Sequence, residues 1–323
     1  MKTFALLVNP NNIQQIRDFW PITRIMPDFL IKSCLKVLPP FKVHMRSSQG
    51  KEIQGYLITC PLLPKQIAEL GQDFVLNKII SAGQIAERLN ASILGLVGFS
   101  STAMDKEREI TKNLKIPVTC GSALTAWSVF EAIYRMAKAK NIDLKESTLA
   151  VIRASDTVGS LCARKLSEYV KKIIITDRHG DKLARLKEAI QQLSPIEITI
   201  EDDIHKAAKN ADIVIITEIP EGLLDINEFK PNAIVCDLSG SKNMNRKVKQ
   251  SHKAHFIKGG LIKLPYPTNI VTASIAEVIL LTFAERFVSY SLGENINLDK
   301  LEEIANLAVK HGFEVWVPEA PVI

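Results

Sequence analysis

The sequence predicts an α/β protein: a doubly wound parallel-sheet domain in the second half of the chain, preceded by an N-terminal α/β domain that C-terminal helices complete. Three observations predict it. From Thr148 onward, short apolar strands alternate with helix-period segments across short loops, as a right-handed βαβαβ series does. Ahead of that point strands and helices also alternate, with one hairpin pattern inserted between them. Beyond it come two helical segments with no strand between them.

Taken in order, "TFALLVN" (Thr3 to Asn9) reads as a strand, and Ile13, Ile16 and Phe19 recur at helical spacing behind Pro10 and Asn12. The segment "FKVHMRSSQGKEIQGYLITC" reads as a hairpin of two alternating strands around Gln49-Gly50. Apolar residues then keep a helical period from Phe74 to Leu89. Strands "SILGLVGF" and "IPVTCG" follow, and an amphipathic helix from Ala123 to Lys140 closes an N-terminal domain set at residues 1–143. The second domain, residues 144–265, runs through strand "LAVI", a helix to about Val170, strand "KIIIT", helix Asp181 to Gln192, strand "IEITI" and helix Ile204 to Asn210. Strands "DIVIIT" and "AIVCDL" and the strand-like "HFIKGG" end it. Residues 266–323 carry helices Thr272 to Tyr290 and Leu298 to His311, expected to return to the N-terminal domain and frame an interdomain cleft.

A chain of 323 residues with 46% hydrophobic content buries more than one core, so two domains are expected. The net charge of +6 is spread over helix faces rather than packed into a tract, and aromatics are only 6%, which argues against nucleic-acid binding and leaves an anionic cofactor or an acidic protein compatible. Five scattered cysteines without C-x-x-C pairing indicate neither disulfides nor zinc, and the histidines show no metal spacing. The apolar run at "MKTFALLVNPNN" is too short for a signal peptide, and no segment approaches the ~20 apolar residues of a membrane span. A soluble cytoplasmic protein is the expectation.

The most informative stretch is "STLAVIRASDTVGSLCARKL", Ser147 to Leu166. An apolar strand, a short loop and a helix opening near Thr157 give the context of a Rossmann dinucleotide-binding turn. In a G-x-x-G-x-x-G frame Arg153 and Asp156 replace the first two glycines, and Gly159 is kept. An aspartate at a helix N-terminus stands where a phosphate would sit and repels it. Arg153 offers a compensating clamp for a pyrophosphate if Asp156 turns away. Asp177 ends the next strand, near the place of an acid that meets a ribose 2′-OH, which favours NAD over NADP.

The succession "GLVGFSST", "VTCGSALTAW", "AVIRASDTVGS", "IPEGLLDINEFKPNAIVCDLSGSKN", "KGG", "ASIAEVILLTFAERF" and "LEEIANLAVKHGF" resembles the long-chain acyl-[acyl carrier protein] reductases and the related predicted amino-acid dehydrogenases. The likeness covers nearly the whole chain and is weakest over its first forty residues. It implies a nicotinamide-binding Rossmann domain, a second domain distantly similar to shikimate dehydrogenases, and NAD(P)-linked oxidoreduction of a small or acyl substrate, with an acyl carrier protein as a compatible partner. Gly98, Phe99, Gly121, Thr125, Asp237, Lys242, Asn243, Gly259 and Gly260 match the family's turns. The family's cysteine nucleophile is replaced by Ser274 in "ASIAEV", and its G-A-T-G-x-x-G turn by "RASDTVG". The resemblance therefore implies a cofactor, NAD or NADP, that is weakly bound or lost. Its alternatives are a non-catalytic binding or regulatory module and an acyl-carrier-protein-binding scaffold.

The candidate cofactor-binding residues are Arg153, Ala154, Ser155, Thr157, Val158, Gly159, Asp177, Arg178, Thr217 and Gly260. The candidate catalytic residues are Ser274, Cys120, Lys65, Asp237 and Lys242. Each has a plain alternative. Ser274 suits a small packing position and Cys120 a buried hydrophobe. Lys65, which resembles the catalytic lysine of shikimate dehydrogenases, suits a solvated helix start, and Asp237 a turn cap.

Overall fold

The computed structural model describes residues 2–10, 12–19, 21–37, 41–43, 53–60, 62–97, 107–220, 222–239, 254–265, 269–293 and 296–317. Gln49-Gly50, Gly98-Phe99, Lys242 and Asn243 lie outside them. In chain order the elements are β1 (Lys2–Val8), α1 (Ile13–Phe19), α2 (Asp28–Val37), β2 (Phe41–Val43), β3 (Ile53–Thr59), α3 (Pro64–Glu69), α4 (Gln72–Arg88), β4 (Ile93–Val97), α5 (Glu107–Asn113) and β5 (Val118–Thr119). They continue with α6 (Ser122–Lys140), β6 (Thr148–Ile152), α7 (Thr157–Leu166), β7 (Lys172–Thr176), α8 (Gly180–Leu193), β8 (Glu197–Ile200), α9 (Ile204–Asn210), β9 (Ile213–Ile216) and β10 (Ile234–Asp237). Last come β11 (His255–Lys258), β12 (Leu261–Lys263), β13 (Ile270–Thr272), α10 (Ala273–Phe283), α11 (Leu298–Lys310) and β14 (Glu314–Val315).

The chain forms two compact units. The first comprises Met1–Gly121, Pro265–Asn269 and Ser274–Gly293. Its sheet runs β2-β3-β1-β4-β5. β1 pairs in parallel with β3 (Lys2 opposite Ile53) and with β4 (Phe4 opposite Ile93). β2 is antiparallel to β3, Phe41 opposite Thr59, the pairing expected of the hairpin segment. On α4 the buried residues Val75, Leu76, Ile79, Ala82, Gly83 and Ala86 fall at helical spacing and join Leu7, Ile58, Leu94 and Leu96 in one core. α10 is buried almost all round, with Ala276, Val278, Ile279, Leu280 and Leu281 each 3% exposed or less. Each large apolar side chain so buried contributes roughly 1.5–3 kcal/mol before entropy is counted.

The second unit comprises Ser122–Leu264, Ile270–Ala273 and Glu294–Ile323. Its six-stranded sheet has the order β11-β10-β9-β6-β7-β8. Every neighbouring pair is parallel. β6 and β9 lie side by side where the winding reverses, the switch point at which doubly wound sheets bind ligands beyond the carboxyl ends of their strands. The central strands are Val/Ile runs buried on both faces, as helices on both sides of a parallel sheet require. β12, β13 and β14 form a small antiparallel sheet that the periodicity had not indicated.

Three sequence expectations differ from what is observed. The division falls after Gly121 rather than at residue 143, because α6 packs on α7 within the second unit, where the Cys162 thiol reaches the Ala126 carbonyl at 3.9 Å. α11, expected to join the N-terminal domain, also belongs to the second unit. There the Arg164 guanidinium donates to the Ile296 carbonyl and Lys165 pairs with Glu302 at 3.1 Å. The helix expected to run to Tyr290 stops at Phe283. Glu285 turns left-handed (φ 53°), and the Arg286 and Glu285 amides close back on Leu281 and Thr282, the pattern of a Schellman cap.

Candidate functional site

The turn between β6 and α7 is built from backbone constraints. Arg153 takes φ 60°, the left-handed conformation that the missing first glycine would supply freely. The Ala154 amide then bonds the Thr176 carbonyl at 3.0 Å, tying the turn to the end of β7. Gly159 has no room for a side chain, since a Cβ would lie 2.8 Å from the Arg153 carbonyl oxygen and 3.0 Å from the Ala154 Cα. This close approach lets α7 start directly against the strand end, the role of the third glycine in the fingerprint.

Asp156 caps α7. Its Oδ1 accepts from the Gly159 amide at 2.7 Å, so a protein carboxylate holds a first-turn N–H that a phosphate oxygen would otherwise take. Burial pushes the Asp156 carboxyl above the ordinary carboxylate range; the Gly159 amide, the Thr217 hydroxyl and Arg153 oppose the rise, and Asp177 adds to it. The Thr217 hydroxyl also reaches the carbonyls of Ile152 (3.2 Å) and Arg153 (3.3 Å). Its one proton serves several acceptors. Arg153 pairs at 3.5 Å with Glu218, a residue the sequence reading missed, and its buried Nε has no hydrogen-bond partner.

The other cofactor candidates of the second unit stand at strand ends. Asp177, just beyond β7, accepts from the Ser155 hydroxyl at 2.6 Å, the Ser155 amide at 3.3 Å and the Arg178 amide at 2.7 Å. The exposed Arg178 side chain contacts His179 at 3.2 Å. Asp237, at the end of β10, accepts from the Ser239 amide at 2.8 Å and hydroxyl at 2.6 Å and thus caps its turn. Gly260 adopts φ 72°, and its carbonyl accepts from the Ala273 amide at 2.8 Å. The first turn of α7 carries Thr157 and Val158, both half-buried.

In the first unit, Cys120, Gly121 and Ser274 come together. Gly121 has φ 83°, and a Cβ there would lie 2.3 Å from the Ser274 Cα, so the chain leaving β5 packs directly on the first turn of α10. The Cys120 thiol reaches the Ser291 carbonyl. Beside them the Thr119 hydroxyl donates to Glu277 at 2.5 Å and accepts from the Ser291 amide at 3.1 Å. Glu277 is fully buried and was not singled out from the sequence. Its signal was available: a lone carboxylate in the apolar run "ASIAEVILLTF" must be matched by a polar partner. Lys65 is elsewhere in character, its side chain 84% exposed and paired with Glu69 at 3.6 Å, the solvated alternative. Burial pushes the Cys60 thiol up to about 12 and raises those of Cys162 and Cys236, so these three are not nucleophiles at neutral pH. Among the described residues no metal-binding cluster occurs, and no helix is long and apolar enough to cross a membrane.

A dinucleotide fits this turn in its framework. The backbone cradle at Gly159 and the unmatched Arg153 Nε suit a pyrophosphate, and Asp177 suits a ribose; the Asp156 carboxylate stands in the way. Sheet order and turn together define a doubly wound α/β fold with a glycine turn at its switch point.

No protein-family model matches the chain. Its sequence is similar to that of the Long-chain acyl-[acyl-carrier-protein] reductase of Synechococcus elongatus, 25% identical over 302 residues that cover 84% of this chain and 86% of that protein. It is also 23% identical over 300 residues to Aminotransferase PigE of a Serratia species, where 86% of this chain corresponds to 34% of the longer protein. The L-tryptophan dehydrogenase of Nostoc punctiforme superposes with a TM-score of 0.45 at 12% identity, over 96% of this chain and 80% of that one.

Proposed function

We propose that this protein is an NAD(P)-linked oxidoreductase acting on a small or acyl substrate. The observation that carries the reading is the β6–α7 turn: a glycine that admits no side chain, at the switch point of a parallel sheet, with a carboxylate at the end of the neighbouring strand. Similarity to the acyl-carrier-protein reductase supports the same reaction class, an acyl thioester as substrate and an acyl carrier protein as partner.

When bound, the nicotinamide would supply or accept the hydride. The chain would do the holding. Backbone amides of Ser155, Thr157, Val158 and Gly159, with the Arg153 guanidinium, would meet the pyrophosphate, and Ala154, its amide held by the Thr176 carbonyl, would fix the turn that presents them. Asp177 would exchange its Ser155 and Arg178 donors for ribose hydroxyls, a preference for NAD; Arg178 would meet a 2′-phosphate in the NADP case. Thr217 and Gly260 would border the site at their strand ends. In the first unit the Ser274 hydroxyl would hold a substrate carbonyl by hydrogen bonding, with Glu277 and Thr119 fixing the loop that carries Cys120 and Gly121.

One observation favours a second reading. Because Asp156 already occupies the Gly159 amide, the chain also suits a non-catalytic binding or regulatory module. Titrating NAD+, NADH, NADP+ and NADPH calorimetrically, followed by assay of acyl thioester reduction through loss of reduced-nicotinamide absorbance, separates the two. Binding with turnover supports the oxidoreductase, whereas absence of binding by all four nucleotides overturns it and leaves the module.

A further inference from the structure

We propose that Asp156 is an internal competitor for the cofactor's pyrophosphate, so that a dinucleotide seats only when this carboxylate leaves the first turn of α7 or is neutralised by a proton. The inference rests on the cofactor reading above and specifies how that same site is regulated.

The geometry supplies the competition. Asp156 Oδ1 sits 2.7 Å from the Gly159 amide, at the positive end of a ten-residue helix, where an incoming phosphate would seek the same donor. The groups around the carboxyl come from each neighbouring element. Arg153, in the turn itself, pairs with Glu218 beyond β9 at 3.5 Å and shares its charge with that partner. Asp177, beyond β7, is a second anion, held by Ser155. Thr217, beyond β9, contacts Asp156 as well as the Ile152 and Arg153 carbonyls. Cys162, on α7, faces it with a buried thiol that stays protonated.

A doubly charged pyrophosphate placed here adds to the Asp177 repulsion and disfavours an ionised Asp156. A protonated Asp156, by contrast, can donate to the Thr217 oxygen while Thr217 donates to a main-chain carbonyl. Since the free carboxyl already lies above the ordinary range and the complex raises it further, the complex holds more protons than the free protein in the window above Asp156's own folded value. Affinity therefore rises as pH falls toward that value, by up to about tenfold per pH unit for one proton taken up, and levels off below it.

The test uses the full chain, with NAD+ and NADP+ titrated separately by calorimetry between about pH 5.5 and 8, in pairs of buffers of different ionisation enthalpy so that proton uptake is read directly. Asp156→Asn keeps a capping oxygen without charge, and Asp156→Gly removes both; the wild-type pH profile needs neither variant to fold. The expected result is weak wild-type binding that strengthens on acidification with uptake approaching one proton. Both variants should bind roughly tenfold tighter near neutral pH and lose the uptake. Equal affinities in all three proteins with no proton uptake would overturn the inference and leave the cofactor reading standing. No binding of either nucleotide to any of the three at any pH would overturn the cofactor reading, and the inference with it.

Discussion

Two side chains in the β6–α7 turn carry a cost that glycine would not. Arg153 holds φ 60°, unfavourable by about 1 kcal/mol for a residue with a Cβ, and its exposed-side pairing with Glu218 at 3.5 Å returns little of that. Asp156 caps its helix, which is stabilising, yet does so as a buried carboxyl raised above its ordinary 3.8 by desolvation. A carboxyl raised on folding contributes stability that is fully present below its unfolded value and is lost as pH rises through its folded value. Asp156→Asn keeps the cap and removes the titration. The variant should therefore be more stable than wild type near neutral pH by about 1 kcal/mol, with the gap closing on acidification through the folded value. Thermal unfolding of both proteins across that range checks it. A constant gap would mean that Asp156 does not titrate with folding.

At the scale of elements, close approach of backbones decides more than side-chain contacts do. α7 can begin against the end of β6 only because Gly159 leaves no Cβ 2.8 Å from the Arg153 carbonyl. Gly159→Ala should destabilise the second unit by about 1–3 kcal/mol, the range for overpacking against groups that cannot move aside, since the obstacle is backbone. Denaturant unfolding would show it as a lower midpoint at unchanged slope; an unchanged midpoint would mean that α7 shifts freely and that the turn is not rigid. The strands of the two larger sheets, α4, α7 and the turn itself were legible in the sequence because apolar period and local glycine pattern report local conformation. The end of α10 was not. Its apolar period continues to Phe287, and the left-handed Glu285 that stops it belongs to a residue type with no preference for that conformation. Nor could period say which unit α6 and α11 join, because an amphipathic face shows that a helix is covered and not by what.

For the whole molecule, the proposed acyl chemistry would proceed without a covalent acyl-enzyme. Ser274 stands on the first turn of α10 with its backbone against Gly121, and a serine hydroxyl is a far weaker nucleophile than a thiolate. The Cys120 thiol is turned to the Ser291 carbonyl, and the buried thiols of Cys60, Cys162 and Cys236 are raised. Mass spectrometry after incubation with a long-chain acyl-carrier-protein thioester should show no acyl adduct on the chain. An adduct on Ser274 or Cys120 would contradict this and make the transfer covalent with a changed nucleophile.

From residue order alone came the α/β class, the parallel strand series, the place of the dinucleotide turn and the loss of its first two glycines. Each is written in local pattern, where a run of Val and Ile or a glycine at fixed offset has one main physical use. Tertiary structure alone decided what became of the vacated positions. Asp156 could be foreseen to repel a phosphate, and its bond to the Gly159 amide is local, but the Thr217 hydroxyl and the Asp177 carboxylate that face it lie 61 and 21 residues further along and reach it only through the pairing of β6 with β9 and β7. The same holds for Glu277, whose lone carboxylate was visible in an apolar helix while its partner Thr119 was 158 residues away. Sequence reports the chemistry of a side chain; which long-range partner satisfies it is settled by packing.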